Sequence, residues 1–358
     1  MTLLWFLACT GTKPPDATDG LLHSQLGTFT TDETGAVDVP VEVASGSFSV
    51  LLSCGPYGFD LMGHVGSIVD PGGATIYDGS QPQTGYLRVP AAPDQLTVLL
   101  PTSPGLPVSA GIWTVRVVME RPEATTISCE TVQRNGTLPR TPALELHFVF
   151  VGTDVDIAGL NATGALSNAS FAAMVNEITT LWSPIFDVDP VSTEDFSGDP
   201  SRYAAVGDAE TVGELLRNSQ DARWLSVFVV PHLSLDGTDI PLARLPSIGT
   251  AAIGGTSRSG LVLSTQTLAT DPPGLGQALA AAGAQFMGLF PVVSVDGVEA
   301  DPLDDTPRCV DGDGDGALTT AECAGQGAEN LLWPSGGPQA TALSSDQGWV
   351  LERSLLLQ

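Results

Sequence analysis

Ala281-Ala282-Gly283-Ala284-Gln285-Phe286-Met287-Gly288-Leu289-Phe290-Pro291 decides how the second half of this chain is read. The run is helical in character, filled by small and apolar residues, with Gly288 where the chain must turn out of the helix. Set in the frame HExxHxxGxxH, it keeps the spacing, the glycine and the apolar filling. The first His of that frame falls on Ala281, the Glu on Ala282, the second His on Gln285 and the third on Pro291. Two His at i and i+4 share one helix face and give two imidazole nitrogens to one zinc, with the Glu as general base. Alanine and proline have no donor atom, and a glutamine amide is a poor zinc ligand. Zinc is therefore not expected. Alone, the stretch reads as an ordinary buried helix packed through small residues.

The flanks change that reading. Asp301-Pro302-Leu303-Asp304-Asp305-Thr306-Pro307 follows, then the turn Asn330-Leu331-Leu332-Trp333-Pro334. A closing segment, Ser344-Ser345-Asp346-Gln347 with Trp349-Val350-Leu351-Glu352-Arg353, reads as a helix. This order resembles the pappalysin-like branch of the metzincin zinc metalloproteases over residues 142–358. In that branch the turn carries a methionine beneath the zinc, where this chain has Leu332. The resemblance implies a metzincin-like catalytic-type domain with an open cleft and a peptide-binding edge strand, placed at roughly Ala251 to Thr256. It implies no hydrolysis, because Ala281, Ala282, Gln285, Pro291 and Leu332 all depart from the pattern.

A second metal motif is complete. Asp311-Gly312-Asp313-Gly314-Asp315-Gly316-Ala317-Leu318-Thr319-Thr320-Ala321-Glu322 fits the EF-hand-type calcium loop DxDxDGxxxxxE. Asp311, Asp313 and Asp315 supply side-chain oxygens, Gly316 the sharp turn, and Ala317 its carbonyl. Thr319 coordinates directly or through water, and Glu322 offers both oxygens. Thr319 and Glu322 also have capping-box spacing. Pro302 and Pro307 leave no room for a preceding helix. One inserted loop binding one Ca2+ is expected, with no paired sensor hands.

Cys309 and Cys323 bracket that loop and are expected to bridge. Cys54 and Cys129 lie in strand-like runs of the first half and are expected to staple one sandwich. Cys9 is left over, and Leu3-Leu4-Trp5-Phe6-Leu7-Ala8-Cys9 is similar to the end of a bacterial lipoprotein signal, with Cys9 as the lipidated residue. A start site further upstream explains its shortness and its lack of Lys or Arg. The expected localisation is export, as a lipoprotein at the cell envelope or surface.

With 358 residues, 42% of them hydrophobic, the chain has ample material for two or three packed domains. A net charge of -28 argues against nucleic acid or an anionic lipid surface as partner. Membrane contact is expected through the lipid anchor only, as no other stretch is long and apolar enough to span a bilayer. Residues 1–30 are read as signal and tether. Residues 31–138, with short β-like runs such as Ala36 to Val43, Ser47 to Ser53, Gln95 to Leu100 and Gly111 to Met119, form an antiparallel β-sandwich. This part is similar to jelly-roll modules attached to secreted proteases. Residues 142–358 alternate strands and helices as an α+β domain holding the calcium loop at 311–322.

Other chemistry is missing. Gly255-Thr256-Ser257-Arg258-Ser259-Gly260 lacks nucleophile-elbow spacing, and Gly274-Leu275-Gly276 reads as a helix entry. His147 and His232 have no partner His at helical or hairpin spacing. The sequence thus points to a calcium-binding pseudo-metalloprotease with a peptide or protein ligand at the edge strand. An active zinc metallopeptidase with non-standard ligands and a purely structural surface lipoprotein are the alternatives.

Overall fold

A computed structural model describes residues 20–358, except 221–222, 236, 246–247 and 251, and apart from the side chain of 155. Cys9 and the leader lie outside the described residues.

The first unit is built from strands β1 (Leu21–Thr30), β2 (Ala36–Val43), β3 (Ser47–Gly55), β4 (Met62–Val69), β5 (Thr75–Asp78), β6 (Ala92–Pro93), β7 (Leu96–Leu100), β8 (Gly111–Met119) and β9 (Thr126–Asn135). They make two antiparallel sheets, β1-β9-β3-β7 and β2-β8-β4-β5, with β6 paired to β4. Alternation sets the inward face: Trp113, Val115, Val117 and Met119 of β8 are buried while the residues between them are more exposed. Residues 21–30, assigned to the tether on sequence, are instead strand β1, paired to β9 along its length. The consecutive polar residues His23, Ser24 and Gln25, all exposed, break the alternation that would have marked a strand.

The sheet β1-β9-β3-β7 is covered on both faces at β3 and β7. Val50, Leu52 and Cys54 point into the sandwich, whereas Leu51, Leu99 and Val132 join the core of the second unit. That is why Val50-Leu51-Leu52 of β3 and Val98-Leu99-Leu100 of β7 read as apolar runs without alternation. Across the same interface Arg217 pairs with Asp94 at 2.6 Å, and Arg134 donates to the Ser354 carbonyl at 2.6 Å.

The second unit carries strands β10 (Ala143–Phe150), β11 (Asp187–Asp195), β12 (Trp224–Val230), the hairpin β13 (Ser234–Leu235) and β14 (Thr238–Asp239), then β15 (Leu242–Ala243) and β16 (Leu261–Ser264). Its helices are α1 (Ala169–Trp182), α2 (Ala209–Leu216), α3 (Thr265–Leu268), α4 (Pro272–Phe286) and α5 (Ser345–Glu352). The main sheet runs β11-β10-β12-β16-β15, parallel except for the antiparallel edge strand β15. Val212, Leu215 and Leu216 of α2 cover one face with Phe228 and Val230; α1 and α4 share the core on the other. The whole is an α+β protein rich in antiparallel sheet. The buried C-terminal residues Leu355, Leu356 and Leu357 end where Gln358 exchanges backbone hydrogen bonds with Ala143.

The edge strand corrects one expectation. It is β15, and Ala252 to Thr256 form no strand; Ala251 lies outside the described residues. Thr250, Thr256 and Ser259 bond one another through their hydroxyls, 2.6–2.9 Å apart, and Ser259 caps the Ile253 carbonyl. Such local hydroxyl bonds compete with strand pairing.

Candidate functional site

Helix α4 starts where Asp271 accepts from the Gly274 amide at 3.0 Å, with Pro272 in the first turn. Gly274-Leu275-Gly276 is thus a helix entry. The helix lies close to α1 through its glycines: a Cβ on Gly276 would stand 2.6 Å from the Met174 carbonyl oxygen. At the other end Gly288 has φ +113°, a conformation that favours glycine, and the chain turns out of the helix there.

Beyond the turn, Val292 links two segments. Its amide donates to the Leu332 carbonyl and its carbonyl accepts from the Asp301 amide, each at 3.3 Å. The turn at Leu332 is held by Asn330, whose side chain accepts from the Leu332 amide at 2.9 Å. Asn330 also exchanges amide hydrogen bonds with the fully buried Gln347 of α5, at 2.8 and 3.2 Å. Ser344 and Gln347 close a capping box at the start of that helix. Asp305 adds to the same helix start, accepting from the Ser344 hydroxyl at 2.7 Å and the Asp346 amide at 2.9 Å.

Asp301 is buried. Its Oδ1 accepts from the Thr306 hydroxyl and the Leu303 amide, while Oδ2 has no hydrogen-bond partner. Burial pushes its pKa up to about 6, against the pull of those bonds and of Arg308. The DTP segment therefore joins the turn after α4 to the closing helix.

These elements enclose an open cleft of about 1030 Å³. Ala281, Ala282, Gln285, Pro291 and Leu332 all line it, and Leu242 and Ala243 of β15 form its rim. Five positions spread over 52 residues of sequence thus meet in one place. They do not fit zinc: four lack a donor, and the Gln285 carbonyl oxygen accepts from the Arg244 guanidinium. His147 stacks on Trp224 with ring centres 4.7 Å apart, bonded to Ser192 at 2.8 Å. His232 lies between Gln266 at 2.7 Å and Asp239 at 3.5 Å. Neither lines the cleft.

Sequence reasoning missed Arg244. It follows β15 directly, lines the cleft and is half-buried, and burial lowers its pKa. Its only sequence signal is a cation beside the edge strand in a chain with few cations.

The acidic loop stands apart from the cleft. Asp311, Asp313 and Asp315 bring carboxylate oxygens within 4.8 Å of one another, the one such His/Cys/Asp/Glu group among the described residues. Gly316, at φ +85°, makes the turn. The Gly314 and Gly316 amides each donate to Asp311 at 2.7 Å and, with Gly316 first, hold its pKa below the usual value. For Asp313 the Asp315 amide pulls down, yet the Asp315 charge, desolvation and the Glu322 charge leave it raised. Glu322 accepts through Oε2 from the Thr319 amide at 2.9 Å and hydroxyl at 2.8 Å; Oε1 is shielded from solvent with no partner. Leu318 is buried and anchors the loop. Crowded like charges and an orphaned carboxylate oxygen fit a divalent cation. Asp311, Asp313, Asp315, Thr319, Glu322 and the Ala317 carbonyl would hold it.

Both bridges read from sequence are present. Cys54 and Cys129 are cross-strand neighbours on β3 and β9, so they clamp one sheet; Cys309 and Cys323 close the acidic loop. Two disulfides fit an oxidising compartment. No helix among the described residues is long and apolar enough to cross a membrane.

No protein-family model matches this chain, and no curated protein does. Solved structures give slight likenesses. The Clostridium perfringens CspB protease overlaps 33% of this chain and 25% of its own, at 12% identity and TM-score 0.21. The Clostridium thermocellum endo-1,4-beta-D-xylanase 10B overlaps 44% of this chain and 34% of its own, at 11% identity and TM-score 0.16. A family two carbohydrate esterase from Cellvibrio japonicus overlaps 59% and 77%, at 12% identity and TM-score 0.16. The chain thus spans a quarter to a third of the first two, and these overlaps define no family.

Proposed function

We propose that this chain is an exported, lipid-anchored, calcium-binding pseudo-metalloprotease of pappalysin-like, metzincin descent, which binds an extended peptide or protein segment without hydrolysing it. One observation carries the reading. The five positions of the zinc-site frame converge on an open cleft beside an antiparallel edge strand, yet offer no usable donor set. No other strand among the described residues pairs with the outer edge of β15. A peptide added there would gain backbone hydrogen bonds, while the small residues of α4 leave room for its side chains. The acidic loop supplies the calcium reading, and its bridge Cys309–Cys323 keeps the loop ends together. Cys9 supplies the anchor reading, with the sandwich in the role of a jelly-roll module.

Metal analysis by mass spectrometry, on protein purified with calcium and zinc both present, tests the reading first. About one calcium and no zinc is expected. Stoichiometric zinc, or chelator-sensitive cleavage of casein or gelatin, would overturn the pseudoenzyme reading. Capture of peptides from a displayed library, weakened by filling the cleft with Ala281→Trp, supports the binding role. Mass spectrometry of the mature N-terminus checks for a lipid on Cys9.

A further inference from the structure

We infer that the crevice between the sandwich and the second unit is a further binding site, built to take a neutral sugar ring. It shares only Pro291 with the lining of the α4 cleft and does not depend on the peptide-binding reading.

The crevice holds about 410 Å³, within the range of small-ligand sites. One wall belongs to the sandwich: His64 of β4, Tyr77 of β5 and the segment 88–91 that leads into β6. The other is Phe290 with the hairpin that carries Ser294 and Glu299. Both walls are set before any ligand arrives. Arg88 donates to the Gln83, Thr84, Gly85 and Leu87 carbonyls of its own loop at 2.9–3.4 Å, and to the Ala300 carbonyl of the hairpin at 3.5 Å. The hairpin closes through a bridge between Val293 and Ala300. Inside it the Ser294 amide donates to the Glu299 carbonyl at 2.7 Å, and the Glu299 amide to the Ser294 hydroxyl at 2.9 Å. Its Val295 carbonyl accepts from the Leu318 amide at 2.8 Å, so the acidic loop braces this wall. Fixed walls lose little freedom on binding.

Charge favours a neutral ligand. The lining carries one arginine, Arg88, and one carboxylate, Glu299, whose charges act on one another. An anion would meet Glu299 in a chain of net charge -28, and a cation would meet Arg88. The hydrogen-bonding groups narrow the class further. The His64, Gln83 and Glu299 side chains make no hydrogen bond among the described residues. A neutral imidazole and an amide each donate and accept, while a carboxylate accepts. Ring hydroxyls do both and match that set. The half-buried Phe290 ring, with Val89 and Pro90, offers an apolar surface for the C–H face of a sugar. A wholly apolar ligand would strand the three polar side chains without water.

Ligand-observed NMR titrations of the full chain in calcium test this with glucose, galactose, mannose, N-acetylglucosamine and cellobiose. Glucuronic acid and glucosamine serve as charged probes. At least one neutral sugar should bind with a millimolar Kd, and both charged sugars about tenfold more weakly. Ala91→Trp, which fills the crevice from an exposed position, should abolish binding. Glu299→Gln keeps the shape, leaves Arg88 in place and should close the gap between glucose and glucuronic acid. Circular dichroism checks that both variants fold. No binding by any of these sugars at about 50 mM, or binding that survives folded Ala91→Trp, overturns the inference. So does a charged sugar that binds the unaltered chain as tightly as its neutral counterpart.

Discussion

On the proposed reading, helix α4 with its turn would be a metal-site scaffold without donors, and the loop at 311–322 a donor set with little scaffold. Around α4 the packing is extensive: close contact with α1, the left-handed Gly288, and the Leu332 turn tied through Asn330 and Gln347 to α5. No zinc donor set stands there. In the loop three carboxylates stand together on a short exposed segment held by one bridge and by buried Leu318. A buried scaffold is retained for packing whatever its chemistry, since each piece supports its neighbours. An exposed acidic loop has no packing reason to hold three carboxylates together, so its like charges point to a cation more directly than the α4 frame points to zinc.

The largest effect should come from installing the donors that the α4 frame lacks. Ala281→His, Ala282→Glu, Gln285→His and Pro291→His together should take zinc from none to about one equivalent, read by metal analysis on folded protein. Failure to bind zinc in a folded variant would mean that the frame has drifted, and the contrast with the loop would lose its basis.

Next is the DTP segment. The folded-state pKa of Asp301, near 6, lies above the 3.8 of an ordinary aspartate. Between these values the folded protein holds more protons than the unfolded chain, so stability falls as pH rises from about 4 to about 6. The ionised group then costs on the order of 3 kcal/mol. Asp301→Asn should flatten that slope and raise the melting temperature at pH 7.5; an unchanged slope in urea titrations would refute the assignment.

Close packing is tested by Gly276→Ala, whose Cβ would also stand 2.8 Å from the Glu177 Cβ. Overpacking against backbone should cost about 2 kcal/mol, and a neutral result would show that the α1–α4 contact yields easily.

Smallest is the loop itself. Calcium at roughly thirtyfold over its Kd should stabilise the fold by about 2 kcal/mol, measured as a melting shift reversed by chelator. Glu322→Gln should remove most of that shift and leave the calcium-free protein unchanged. Equal shifts in both proteins would place the ion elsewhere.

Much of this was legible from residues alone. The runs read as strands at 36–43, 47–53, 95–100 and 111–119 fall on β2, β3, β7 and β8, and those read as helices at about 168–182 and 274–290 fall on α1 and α4, which ends at Phe286. Strand β1 was missed because consecutive exposed polar residues break its alternation, and the edge strand was misplaced because β15 is two residues long and has no periodicity. Arg244 left no pattern at all.

The available chemistry was already written in the residues: no zinc donors in the α4 frame, a complete acidic loop, and cysteines for two bridges. Those are properties of residue type and local spacing. Long-range packing alone brings Ala281, Pro291 and Leu332 into one cleft, sets β15 at its rim, carries Arg244 to Gln285, and joins the sandwich to the second unit through Leu51 and Val132. Such contacts join residues far apart in the chain, and long-range packing leaves little trace in local sequence.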